Sequence, residues 1–256
     1  MVTQPDTDGH RIYAVGDIHG CLDKLEYVQD QITADLAARP HDKPVVIYLG
    51  DYIDRGPESR GVLDNLSRVK TGEGDNRFLL GNHDQYMVTY LDEPAAVQSA
   101  TNLHWLNPRL GGDKTLLSYG INGADQDDPG ATHADFRAVV PAMHVAFMET
   151  LDLYHRIGSY LFVHAGILPG VALEDQTHHD LIWIRNEFLE ATDDHGMIVV
   201  HGHTVVEEVE NRGNRIAIDT GAVFGRDLTC LVLEGDDQSQ LLGGELVPVP
   251  IIFPDF

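Results

Sequence analysis

Cations are scarce in this 256-residue chain: 17 Lys and Arg stand against 41 Asp and Glu, for a formal net charge of −24. A surface of that sign repels nucleic-acid backbones and anionic membranes, so neither is expected as a partner. An anionic substrate must be drawn in by a local positive site, because the overall field opposes it. Cysteine is nearly absent as well. Cys21 and Cys230, far apart in sequence, offer neither a disulfide framework nor a CxxC metal or redox site. No stretch approaches the roughly 18 apolar residues that a membrane span needs. The opening MVTQPDTDGHRIYAVGD lacks the basic start and apolar run of a signal peptide. A cytoplasmic protein, working as a monomer, is the expectation.

What is present suffices for a substantial core: 43% of the residues are hydrophobic. The length suits one large α/β domain over residues 1–256. Short apolar runs at Arg11–Val15, Pro44–Leu49, Arg77–Leu80, Tyr160–Val163 and Met197–Val200 each end in a polar turn and read as buried strands. Leu22–Ala38 carries Leu22, Leu25, Val28, Ile32 and Leu36 at helical spacing, and Gly61–Lys70 repeats the pattern. Alternating strands and helices predict a mainly parallel sheet covered by helices. The stretch from Asp92 to about Val140, rich in Asn, Gly, Pro and Asp, reads as an inserted helical and loop lid without its own core. A helix is expected at Pro141–Leu151. Val205–Val209, Arg215–Asp219 and Thr229–Glu234 read as hairpin-linked strands of a second, more antiparallel sheet. The final VPVPIIFPDF, with three prolines, is expected to pack as an extended tail.

Nearly every expected strand terminates in a candidate metal ligand. The ends are Gly16-Asp17-Ile18-His19-Gly20, Gly50-Asp51-Tyr52-Ile53-Asp54-Arg55-Gly56, Gly81-Asn82-His83-Asp84, His164-Ala165-Gly166 and His201-Gly202-His203-Thr204. Ligands of open α/β sheets bind at the carboxyl ends of the strands, and the flanking glycines allow close backbone approach to an ion or phosphate. A lone strand-end Asp is ordinarily a turn or cap residue, and a lone buried His a packing residue. Five such ends in succession point instead to a shared site.

These blocks resemble the signatures of the calcineurin-like metallophosphoesterases, specifically the phosphoprotein phosphatase branch and its bacterial members, over about Arg11 to Leu233. The resemblance implies a four-layer αββα sandwich with metals at the loop edges of the two sheets. It implies Asp17, His19 and Asp51 at a first metal, with Asp51 bridging to a second held by Asn82, His164 and His203. A carboxylate can bridge cations about 3.5–4 Å apart, as two-metal hydrolysis requires. Mixed N/O ligation suits Mn²⁺, Fe²⁺ or Zn²⁺ better than Ca²⁺ or a thiolate-seeking ion, and Mn²⁺ is the first expectation. His201 and His203 alternate along an extended segment and point to opposite faces; the family match selects His203 as the ligand, leaving His201 to support or pack. Arg55 and Arg185, together with Asn82, match positions that hold phosphate oxygens. His83 matches the acid that protonates the leaving alkoxide, oriented by Asp54.

The implied activity is metal-dependent hydrolysis of phosphoserine and phosphothreonine by a metal-bridging hydroxide, extending to phosphotyrosine and small phosphomonoesters. Dinucleoside polyphosphate hydrolysis is the alternative enzyme reading, and an inactive scaffold the non-enzyme one. A DNA-processing phosphodiesterase is disfavoured, because GHTV lacks the second His of GHxH and the charge opposes DNA. Three departures from the family pattern stand out: Asp84 in place of Glu, HAG in place of HGG, and Ala222-Val223-Phe224 where many relatives place a Tyr near the phosphate.

Overall fold

The computed structural model describes residues 3–71, 75–98 and 100–252. It begins with the expected alternation: β1 (Arg11–Val15), α1 (Leu22–Ala38), β2 (Pro44–Tyr48), α2 (Ser59–Thr71), β3 (Asp75–Phe78) and α3 (Asn82–Asp92). The three strands are parallel, as helical crossovers require. Residues 92–140 follow with β4 (Val97–Gln98), β5 (Leu103–His104), α4 (Gly112–Ser118) and α5 (Gly130–Val139). Next come α6 (Ala142–Glu149), β6 (Tyr154–Ile157), β7 (Tyr160–Val163), α7 (His178–Trp183), α8 (Asn186–Leu189) and β8 (Ile198–His201). The chain ends with β9 (Glu210–Asn211), β10 (Arg215–Ala217), β11 (Cys230–Glu234), β12 (Asp237–Leu242) and β13 (Glu245–Pro248).

Two mixed sheets result, ordered β13-β12-β11-β1-β2-β3 and β6-β7-β8-β10-β9. The period of two along each strand sorts its side chains into separate cores. Ile12, Ala14, Val45, Ile47, Leu231 and Leu233 of the first sheet meet Tyr160, Phe162, Ile198, Val200 and Ile216 of the second. The alternate residues Tyr13, Val15, Tyr48 and Phe78 pack outward beneath α1, α2, α3 and α6. On the far side, Leu161, Val163 and Val199 pack against Leu181, Ile182 and Phe188 of α7 and α8. The fold is the four-layer αββα sandwich.

Several element assignments differ from the sequence reading. Val205–Val209 is no strand: Val206 N–H bonds Asp219 O, and regular pairing starts only at Glu210. β10 and β11 form no hairpin. β10 joins the second sheet parallel to β8, and β11 joins the first antiparallel to β1. Both are buried on two faces, so their composition suits either sheet. β6, β12 and β13 leave little trace in the sequence: they sit at or near sheet edges, where one face meets solvent and the apolar signal is thin. Gly243 and Gly244, both with positive φ, close the two-residue turn between β12 and β13. The tail pairs as far as Ile252, whose N–H bonds Asn211 O; the rest of the expected extended tail, 253–256, lies outside the described residues.

The 92–140 segment is woven into the helical layer. Trp105, Leu106, Leu110, Leu116, Tyr119 and Phe136 are buried in the same cluster as the outer face of the first sheet. The Trp105 ring lies 5.1 Å from Tyr90 of α3 and 5.8 Å from Phe136 of α5.

Candidate metal and phosphate site

The strand ends are shaped for function before any ligand is considered. Seven residues other than glycine have positive φ among the described residues, and five are His19 (46°), Asp51 (52°), Asp54 (72°), Arg55 (66°) and His203 (62°). Such conformations cost about 1–3 kcal/mol each and cluster where a backbone must aim a side chain. Two glycines make room for the carboxylates. A Cβ on Gly81 would collide with Asp51, and one on Gly202 with Asp17 Oδ1.

Asp51 is the hub. Its Oδ2 lies 3.5 Å from His19 Nε2 and its Oδ1 3.5 Å from His164 Nε2. The far side of each ring fixes its tautomer, since a carbonyl can only accept. His19 Nδ1–H donates to Ile53 O at 2.8 Å, and His164 Nδ1–H donates to Leu49 O at 2.9 Å. Each Nε2 therefore presents a lone pair. That of His164 faces Asp51 Oδ1 and, at 3.1 Å, Asn82 Oδ1. Lone pairs aimed at one another in a buried site are reconciled by a cation between them. His203 adds a buried Nε2 with no hydrogen-bond partner among the described residues. Burial pushes the pKa of His19, His164 and His203 down, so all three rings stay neutral and available as ligands. Burial, and then the nearby Asp219 and Asp51, push the Asp17 carboxyl well above its usual range, and burial raises Asp219 to about 6. This crowding of buried carboxylates is what a bound dication would relieve. The donor set, imidazole nitrogen with carboxylate and amide oxygen, fits borderline divalent metals.

Two groups of ligand atoms lie within 4.8 Å of one another: His19, Asp51 and His83, and Asp51, His164 and His203. Asp51 is common to both, as the bridging role requires. Asn82 joins the second group through His164. The structure thus brings His19, Asp51, Asn82, His164 and His203 together. Asp17 stands outside the two groups, with Oδ2 and Oδ1 3.1 and 3.3 Å from the His203 N–H. Asp219, which the sequence reading left out of the site, lies close enough for its charge to act on Asp17. His201 faces the other way: its ring packs 5.1 Å from Phe188, on the outer side of the second sheet.

His83 Nδ1 lies 2.7 Å from Asp54 Oδ2, and Asp54 is fully buried. Trp105 Nε1–H donates to the same oxygen at 2.8 Å, and Thr115 Oγ1 donates to Oδ1 at 2.7 Å. Both donors come from the 92–140 segment; the sequence reads Trp105 as a packing residue bordering the substrate groove and does not mark Thr115. Among the described residues, Asp84 forms no ion pair. It accepts the N–H groups of Asp51 (2.7 Å), Tyr52 (2.9 Å) and Gly81 (2.9 Å), tying the second and third strand ends together. Its shorter side chain suits this backbone role.

A cleft of about 200 Å³ opens over Asp51, Asn82, His83 and His203 and is walled by Arg55, Arg109, Arg185, Leu103, Leu110 and Trp183. Arg55 reaches His19 Nε2 at 2.8 Å and His83 Nε2 at 3.0 Å, placing a positive charge on the very lone pairs that face inward. Arg185 donates to Thr204 Oγ1 at 2.9 Å. Arg109 is a third guanidinium that sequence reasoning did not single out; its rarity in an acidic chain was the one signal for it.

The family model of the calcineurin-like phosphoesterases matches residues 10–230. Among curated relatives, the asymmetrical bis(5'-nucleosyl)-tetraphosphatase PrpE of Bacillus velezensis is 24% identical over 235 residues, covering 84% of this chain and 86% of that protein. The symmetrical bis(5'-nucleosyl)-tetraphosphatase of Aromatoleum aromaticum is 30% identical over 163 residues, covering 64% of this chain and 46% of its own length. A solved cold-active protein tyrosine phosphatase shares the fold with a TM-score of 0.63 and 18% identity, over 97% of this chain and 82% of that one. A metallophosphoesterase from Sphaerobacter thermophilus aligns with a TM-score of 0.50 and 18% identity, over 94% and 88%. The family match runs through every strand end that reaches the Asp51 cluster, and the chain belongs to the calcineurin-like phosphoesterases.

Proposed function

We propose that the chain hydrolyses phosphoric anhydrides and esters with the help of two divalent ions, Mn²⁺ first, and that its substrates are dinucleoside polyphosphates. The observation that carries the reaction type is the Asp51 carboxylate, which offers one oxygen toward His19 and the other toward His164. Ions held by Asp17, His19, Asp51, Asn82, His164 and His203 would supply a water nucleophile at neutral pH and neutralise charge on phosphorus. The remaining work falls to the chain. Arg55 and Arg185 grip the non-bridging oxygens of the reacting phosphate, and their planar forks follow those oxygens into the transition state. His83, held by Asp54, gives its Nε2 proton to the leaving oxygen. For that transfer Arg55 must swing from His83 Nε2 to the phosphate, a movement of its side chain alone.

Two observations favour the polyphosphate substrate. Several curated relatives are named for that activity, and Arg109 adds a third cation to the cleft wall, one more than a single phosphate needs. Phosphoserine, phosphothreonine and phosphotyrosine in proteins form the second reading, supported by the open cleft and by a protein tyrosine phosphatase of like fold. We further propose a monomer that binds neither nucleic acid nor membrane, in keeping with its net charge of −24. Among the described residues, no helix is long and apolar enough to cross a membrane.

The test is a side-by-side measurement of kcat/KM under Mn²⁺ for diadenosine tetraphosphate, a phosphothreonine peptide and a phosphotyrosine peptide, with p-nitrophenyl phosphate as reference. The tetraphosphate should lead. A faster phosphopeptide would exchange the two readings, and no metal-stimulated turnover of any substrate would leave a scaffold.

A further inference from the structure

We propose that Trp105, carried by the 92–140 segment, is a positioning residue for the acid His83, acting through Asp54. The inference rests on the reading of His83 as the acid. A carboxylate has about four lone-pair directions to satisfy, and a buried one must find its donors within the protein. Asp54 finds three side-chain donors. His83 Nδ1–H at 2.7 Å and Trp105 Nε1–H at 2.8 Å share Oδ2, and Thr115 Oγ1–H at 2.7 Å takes Oδ1. Two of the three belong to the insertion. With Oδ1 tied to Thr115 and Oδ2 to Trp105, the carboxylate plane is fixed, and so is the direction from which His83 is held.

Trp105 is itself immobilised. It is 1% exposed, wedged between Tyr90 and Phe136, and a Cβ on the neighbouring Gly112 would meet its ring at 2.8 Å. A buried indole N–H needs only some acceptor, and a backbone carbonyl would serve packing equally well. Here the acceptor is the same oxygen that orients His83. The segment also carries Arg109, Leu103 and Leu110 to the cleft wall. The piece of chain that meets the substrate is therefore the piece that aligns the proton donor. In the step concerned, the P–O bond breaks and its electron pair stays on the leaving oxygen. That oxygen takes the His83 Nε2 proton, and water supplies the hydroxyl that completes the phosphate. The imidazole is left neutral, with Nδ1–H still on Asp54.

The experiment uses the full chain with Mn²⁺ and compares kcat on phenyl phosphate, a poor leaving group, with kcat on p-nitrophenyl phosphate, a good one. The readout is their ratio within one enzyme sample, which cancels any difference in folded fraction between variants. Trp105→Phe keeps an aromatic ring and removes only the donor; Thr115→Val is the second variant, should the first fold poorly. Each should lower the ratio about tenfold, a share of the 10²–10⁴ that a general acid supplies, with KM unchanged. His83→Asn should lower it further, and His83→Asn combined with Trp105→Phe should match His83→Asn alone, since both act on one proton transfer. An unchanged ratio in both single variants, or losses that multiply in the double variant, would overturn the Trp105 proposal alone. If His83→Asn itself leaves the ratio intact, the acid assignment falls and takes the proposal with it.

Discussion

At the scale of single residues, the division of labour among the three cleft arginines can be measured. Arg185 is assigned to the reacting phosphate and Arg109 to a neighbouring one. Arg185→Ala should therefore reduce kcat/KM for both p-nitrophenyl phosphate and diadenosine tetraphosphate. Arg109→Ala should cost the tetraphosphate about tenfold or more, in line with the roughly 1.5–3 kcal/mol of a charged hydrogen bond, and the monoester little. Steady-state kinetics on the two substrates checks this, and equal losses from Arg109→Ala would return that residue to the reacting phosphate. The positions legible in the sequence were those marked by their surroundings: Asp51 and Asn82 each follow a glycine at a strand end, and His164 closes the apolar run Tyr160–Val163. Trp105, Thr115 and Arg109 carry no such mark: Asp54 lies 51 residues from Trp105 and 61 from Thr115, and only tertiary packing brings these side chains to Asp54 and Arg109 to the cleft.

At the scale of elements, the site depends on how closely neighbouring strand ends can approach. Gly202 follows β8, and any side chain there would strike the Asp17 carboxylate. Gly202→Ala should destabilise the protein by about 1–3 kcal/mol, the usual cost of overpacking, and lower Mn²⁺ affinity by displacing Asp17 and His203 together. Denaturant unfolding and metal titration read the two effects, and a variant with wild-type values in both would contradict the packing argument. The helical layer offers a second test. His144 of α6 is buried between Tyr119 OH (2.7 Å) and Asp64 Oδ1 of α2 (3.1 Å), and burial lowers its pKa below 6.5. The unfolded chain then binds a proton that the folded chain refuses, so this contribution to stability is whole above pH 6.5 and is lost as pH falls below it. The loss is at most about 1.4 kcal/mol per pH unit. His144→Asn should flatten that part of the stability profile in thermal unfolding between about pH 7 and 5; an unchanged slope would show that His144 is not its source.

Elements also show where the sequence spoke clearly. β1, β7 and α1 have the bounds that their apolar periods dictate. The segment Asp237–Leu242 did not read as a strand, since DQSQLL shows hardly any alternation and lies on a sheet margin. Val205–Val209 misled in the opposite direction: its valines suit a strand, but Val205 is exposed and Val206 N–H turns to Asp219. Which sheet β10 and β11 join could not be read locally, because strands buried on both faces pair equally well in either.

At the scale of the whole molecule, a net charge of −24 coexists with the proposed anion site. The two are compatible only if positive charge is concentrated where the phosphate sits, in Arg55, Arg109 and Arg185 and in the ions that neutral imidazoles and buried carboxylates are arranged to hold. The sandwich makes that concentration possible by bringing the carboxyl ends of strands from both sheets to one rim, with the 92–140 segment completing the wall. Metal content therefore tests the account most directly. Titration calorimetry with Mn²⁺, backed by elemental analysis after dialysis, should give two equivalents per chain. Asp51→Asn should bind fewer than two and lose turnover by at least about a hundredfold, the upper end of the roughly 10–100-fold attached to groups that merely support a ligand. A wild-type protein that takes up no metal or a single ion, or an Asp51→Asn variant that still holds two, would contradict a centre built on one shared carboxylate.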